Sequence, residues 1–175
     1  RAVEERIRVV GERERAHAGP RPTERVVVVE RERGADEDLR HDFDRDRPDP
    51  TFNSHIGNLY AKRGAKGTRD EFVLGFRVHQ HMCNPAGGLH GGMMMTVADL
   101  VGTMGGGTLV GLRKFLPTVS MTFDFVAPAK VGDWVEGRAE IVRQTRSLLF
   151  TNIFLTVGEE RFLRASQIAK IPSGD

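Results

Sequence analysis

The chain predicts an α+β domain in which one long helix is enclosed by an antiparallel sheet of five to six strands. Three observations carry that expectation. One stretch, Gly91 to about Met104, has helical periodicity, with Met93, Val97, Leu100 and Met104 at i, i+4, i+7 and i+11. Around it lie two strand-like runs before the helix and four after it. The turns between the later strands are short enough to make them antiparallel neighbours. A helix that is apolar nearly all round must be covered, and a wrapping sheet covers it while leaving sheet edges and a helix face for a second subunit.

Taken in chain order, residues 1–50 hold 12 Arg against 14 Asp plus Glu and one aromatic, Phe43, and they end in Pro48-Asp49-Pro50. Such a composition buries little and is expected to form a charged, flexible N-terminal extension. The domain is expected over 51–175. It opens with a short helix or turn at Phe52 to Gly57, a strand near Leu59 to Lys62 and a second over Glu71 to His79, which stops at Asn84-Pro85. After the helix, Gly105-Gly106-Gly107 reads as its end. Strands then follow over Thr118–Val126, Trp134–Val142, Leu148–Val157 and Arg161–Ile171, separated by Pro128 to Asp133 and by Gly158-Glu159-Glu160.

Composition narrows the function. Residues 51–175 hold 14 Lys plus Arg against 10 Asp plus Glu, an excess too small to argue for nucleic acid but suited to a ligand with a few phosphates. A single cysteine, Cys83, excludes an intramolecular disulfide framework and fits a reducing, cytoplasmic setting. Nothing approaches the roughly 20 apolar residues of a membrane span.

The chemistry gathers in Asn84 to Asp99. From Met93 to Met104 the only charged residue is Asp99, and a carboxylate on so apolar a helix is either satisfied structurally or employed chemically. His90-Gly91-Gly92 stands at the helix start, where the first amides lack side-chain cover and carry the positive end of the dipole, making an oxyanion site. That the glycines only permit tight packing stays open as well. Asp99 lies eight residues past Gly91, about 12 Å along a helix at 1.5 Å per residue. The two cannot serve one carbonyl from the same helix. If they act together, Gly91 of one subunit must face Asp99 of another across antiparallel helices, which predicts a homodimer with shared sites. Gly92, Gly102 and Thr103 lie near Asp99 on the helical wheel and would leave room for substrate.

The pattern Asn84, Gly87 or Gly88, His90-Gly91-Gly92 and Asp99, extended by Pro117 to Met121 and Pro128 to Asp133, resembles the PaaI-like acyl-CoA thioesterases of the hotdog-fold superfamily. The resemblance covers about residues 51 to 171. It implies hydrolysis of an acyl-CoA thioester, with the Gly91 amide polarising the carbonyl and Asp99 acting as general base or nucleophile. It further implies that Asn84 holds the carbonyl or the attacking water, that His90 orients the loop or substrate, and that Thr118 sits near Asp99. Ser120, two residues on, is expected on Thr118's face. Coenzyme A belongs to the substrate, and neither cofactor nor metal is implied. For the CoA phosphates, Arg146 is the foremost candidate, followed by Arg143 and Lys130, with Arg113 and Lys114 nearby. Hotdog dimers often pair again, so a homodimer or homotetramer is expected.

Two other readings compete. His79, His81 and Cys83 would share one strand face with His90 close in sequence, a zinc-like set whose Cα spacing of about 6 to 7 Å suits a tetrahedral site poorly. A non-catalytic acyl-CoA sensor or carrier is the functional alternative, since fold alone does not fix activity. Met93-Met94-Met95 read as adaptable core filling.

Overall fold

The computed structural model describes residues 44–45, 52–64 and 71–173. Apart from Asp44 and Arg45, the expected N-terminal extension lies outside the described residues. The two described positions form a short edge strand, β1 (Asp44–Arg45), paired with Tyr60 and Ala61. Six longer strands follow: β2 (Tyr60–Arg63), β3 (Phe72–Arg77), β4 (Thr118–Phe125), β5 (Trp134–Gln144), β6 (Leu148–Val157) and β7 (Glu160–Lys170). All pairings are antiparallel, in the order β1-β2-β3-β5-β6-β7-β4. The expected α+β class, with one long helix on a wrapping sheet, is what forms.

The inner face follows from alternation. On β6, Leu149, Thr151, Ile153 and Leu155 are buried, and on β7 so are Leu163, Ala165, Gln167 and Ala169. Helix α1 (Gly91–Leu100) lies on that face and buries Met93, Met94, Val97 and Ala98. Leu100 and Met104, expected in the same stripe, are only half-buried. The reason is a π turn over Val101–Gly105, which shifts the buried line to Val101, Gly102 and Gly105.

Gly105-Gly106-Gly107 does not end the helix, which continues as α2 (Gly106–Leu109). Intrinsic propensity is overridden by packing. A Cβ at Gly105 would sit 2.8 Å from the Phe72 ring, and one at Gly106 would sit 2.9 Å from Thr151 Cγ2. The sheet reciprocates at Gly137, where a Cβ would fall 2.5 Å from Val101 Cγ2. Gly102 does not leave room for substrate as expected: it is buried against the sheet, where an added Cβ would overlap Gln167 Oε1. Gly102→Ala is therefore expected to cost about 1–3 kcal/mol through overpacking, read as a lower urea midpoint; an unchanged midpoint would contradict this close approach.

Beyond α2 the chain crosses over Leu116, which packs with Leu149, Ala169 and Ile171 in a second apolar cluster, and enters β4. β4 is an edge strand, paired with β7 alone among the described residues. It lies beside α1, so sheet edge and outward helix face form one continuous surface.

Candidate active site

The loop before α1 is built on Asn84. Its Oδ1 accepts from Ala86 N at 3.0 Å and Gly88 N at 3.3 Å, while its own N–H donates to Gly88 O at 2.8 Å. Gly87 closes this loop at φ 83°, a conformation that disfavours other residues. The side-chain oxygen is thus occupied by the loop, and Nδ2 is the atom left to meet a ligand. Leu89 N donates to Ala129 O at 2.8 Å and His90 N to Met82 O at 2.9 Å, fixing where the helix begins.

His90 is the N-cap of α1, and its Nδ1 accepts from Gly92 N at 2.9 Å. This corrects the expectation of two uncovered amides, because the imidazole covers Gly92. Gly91 is left as the open donor: among the described residues nothing accepts from its N–H. The Phe125 ring lies against it, 3.6 Å from where a Cβ would stand. A cavity of about 440 Å³ opens beside this helix start, with His90, Met82 and Met93 in its wall.

Asp99 occupies the other end of the same helix and is half-buried. Thr118 Oγ1 donates to Asp99 Oδ1, and Gln167 Nε2 donates to the same oxygen at 2.8 Å. Gln167 Nε2 also reaches Thr118 Oγ1 at 3.0 Å, and Thr151 Oγ1 donates to Gln167 Oε1 at 3.5 Å. Among the described residues Oδ2 accepts no hydrogen bond. One oxygen is clamped and the other is free. Neutral donors, not a cation, hold this carboxylate.

Thr118 therefore lies beside Asp99, as the resemblance implied, but Ser120 does not share its face. A β-bulge falls between them, with Thr118 opposite Ala169 and Ser120 opposite Ile168. The extra residue turns Ser120 to the outer face, away from Asp99, and brings Met121 inward against Gln167. Gln167 was not singled out from sequence. Its signal was a lone amide among Leu163, Ala165, Ala169 and Ile171, the inward positions of β7.

The basic candidates divide between the ends of the sheet. Lys130 sits in the turn before β5, bridged to Gly88, at the Gly91 end. Arg143 and Arg146 stand at the far end of β5, in a hairpin whose Ser147 O accepts from Ile171 N at 2.8 Å. Pro117 O accepts from Lys170 N at 2.8 Å, so that hairpin borders Thr118 and the Asp99 end.

The zinc-like set does not form. β3 ends at Arg77 and a 3-10 turn over Gln80–Met82 interrupts the alternation, leaving the His79 and His81 rings stacked at 5.9 Å. Cys83 Sγ donates to His79 O at 3.6 Å, and burial pushes its thiol up, away from the thiolate a ligand or nucleophile needs. Among the described residues no three His, Cys, Asp or Glu side chains converge to hold a metal ion.

Known proteins resemble this chain in sequence and in fold. The family model described as thioesterase superfamily matches residues 86–162, from the Asn84 loop to the start of β7. Human acyl-coenzyme A thioesterase 13 is 29% identical over 107 residues, covering 60% of this chain and 72% of its own. The crystal structure of zebra fish thioesterase superfamily member 2 superposes with a TM-score of 0.61 at 21% identity, over 71% of this chain and 88% of that one. A mutant of the phenylacetic acid degradation protein PaaI from Thermus thermophilus gives a TM-score of 0.59 at 21% identity, over 69% and 98%. These matches show a chain similar in sequence to the thioesterase superfamily and sharing the hotdog fold of those structures.

Proposed function

We propose that the protein hydrolyses an acyl-CoA thioester to the free acid and CoA at sites shared between two subunits. The observation that carries this reading is the division of labour along α1: an open N–H at Gly91, and at Asp99 a carboxylate clamped through one oxygen and free at the other. Each is half of a hydrolytic site, and one helix holds them too far apart to act on one carbonyl. A two-fold axis perpendicular to the helix makes the two helices antiparallel and brings Gly91 of one subunit opposite Asp99 of its partner.

Support for that axis comes from the surface. Met95 on α1 is 41% exposed, and on and after β4 Val119 is 60%, Phe125 51% and Val126 68% exposed, an apolar strip along the unpaired strand edge. The same axis reunites the cations. Within one subunit the length of β5, at about 3.3 Å per residue, puts Lys130 over about 30 Å from Arg146, whereas across the axis the Gly91 end of one subunit meets the Asp99 end of the other. Lys130, Arg143 and Arg146 then border one composite site, where the CoA phosphates would lie.

In the reaction, the thioester oxygen accepts from Gly91 N–H, with Asn84 Nδ2 available beside it, as His90 fixes the helix start through Gly92. The free oxygen of Asp99 from the partner subunit takes a proton from water, whose oxygen attacks the carbonyl carbon. Collapse of the tetrahedral intermediate breaks the C–S bond, and the proton passes to the departing CoA thiolate. Acid and thiol result, with no cofactor consumed. Direct attack by Asp99 through an anhydride is the other route open to the same geometry, and the water route is favoured slightly.

Among the described residues no helix is long and apolar enough to cross a membrane. With its lone cysteine, the chain fits a cytoplasmic enzyme.

The test is thiol release from phenylacetyl-, benzoyl-, hexanoyl- and palmitoyl-CoA. Hydrolysis of at least one ester is expected; binding of the esters without turnover would instead make the protein an acyl-CoA sensor or carrier.

A further inference from the structure

Gln167 is 2% exposed and, with Thr151, is one of two buried polar side chains among the described residues. Nothing along its own strand asks for an amide. Its neighbours on the inward face of β7 are Leu163, Ala165, Ala169 and Ile171, and an aliphatic residue would continue that face. Burying an amide there is unfavourable unless its donors and acceptor are used.

They are used in a fixed sense. Thr151 stands directly opposite Gln167 in the β6–β7 pairing, its Oγ1 3.5 Å from Oε1, and because the Asp99 carboxylate can only accept, the nitrogen and not the oxygen of the amide must face it. Nε2 is thereby aimed at Asp99 Oδ1, 2.8 Å away, and at Thr118 Oγ1, 3.0 Å away. Met121 Sδ lies 3.5 Å behind it. The helix is cut away to admit the amide, since any side chain at Gly102 would occupy the position of Oε1.

We infer that Gln167 is a positioning residue for the acid–base chemistry: by donating to Asp99 Oδ1 from a locked amide, it fixes the plane of the carboxylate and presents Oδ2 to the water. This rests on the thioesterase reading and adds to it a residue that does not touch substrate. Thr118 alone could not do the same. Its hydroxyl rotates, and Gln167 Nε2, by donating to Thr118 Oγ1, is what turns the Thr118 proton toward Asp99. Together the two donors leave a single oxygen for catalysis, and a carboxylate held in one orientation is the kind of preorganisation that small displacements destroy.

The experiment compares Gln167→Met, which keeps length without a donor, and Gln167→Glu, which keeps shape with oxygen in place of the amide nitrogen. Both are measured on any acyl-CoA that the wild type hydrolyses. For a variant that folds cooperatively with unchanged oligomer size, kcat is expected to fall by about tenfold or more with KM within about twofold. In an Asp99→Asn background, Gln167→Met is expected to lower kcat no further, since there is no longer a carboxylate to orient. A folded variant with wild-type kcat overturns the inference while leaving the thioesterase intact, as does an undiminished further loss in the Asp99→Asn background. Failure of both variants to fold assigns Gln167 to structure and overturns it too. Absence of turnover in the wild type overturns the thioesterase reading and this inference with it.

Discussion

Asp99→Asn is expected to keep the fold and the oligomer while lowering thioester hydrolysis by at least about 10². The substitution changes little sterically. Asn can still accept from Thr118 Oγ1 and Gln167 Nε2 through its amide oxygen, so the clamp on that side survives. What disappears is the basic oxygen at the Oδ2 position, replaced by an NH2 that can neither take a proton from water nor attack a carbonyl. Because only the transition state uses that oxygen, the loss should fall on kcat with KM nearly unchanged. Thiol release measured beside thermal unfolding separates the two effects. Unchanged turnover in a folded variant would sink the mechanism.

Gly91→Pro tests the other half of the site. Gly91 is the first residue of α1, where proline is tolerated because that amide has no partner within the helix. His90, just before it, already has φ −65° and ψ 135°, the extended conformation that precedes proline. Added carbon would meet the Phe125 ring at ordinary contact distance. The substitution therefore removes one N–H and little else, and the expected result is a fall in kcat of about 10² to 10³ with helix content preserved. Co-expression of Gly91→Pro with Asp99→Asn then reads the geometry of the site. In a mixed dimer with shared sites, one site carries both defects and the other neither, so activity returns. With sites confined to one subunit, none is whole and activity stays low.

How far the sequence foretold this arrangement depended on whether chemistry or packing decided each position. Asp99, Gly91 and His90 stood out because a charge in an apolar helix and a His-Gly-Gly helix start are unusual in themselves. The strands were legible from alternation, to within a few residues. Missed features share one physical cause, a local rule overruled by a neighbour distant in sequence. Gly105 to Gly107 read as a stop, yet Phe72 and Thr151 fill the space the absent side chains leave, and the helix continues. Ser120 was assigned by counting twos along a strand, and one bulged residue broke the count. His79 and His81 were aligned as if on a strand that in fact ends at Arg77. Gln167 was legible in principle, as the one amide in an apolar parity class, but only once the inward face of β7 had been chosen.

The glycines at 102, 105 and 106 have a bearing on how such a protein can change its substrate. With the sheet-facing side of the helix pressed so close that no side chain can be added there, mutations on that side remove stability before they alter a pocket. The opposite side, carrying Gly92, Met95, Thr96 and Thr103, meets no such limit from the sheet. Variation in acyl preference has therefore one direction in which to accumulate, outward from the sheet, and each residue accepted there would be tried at two sites at once.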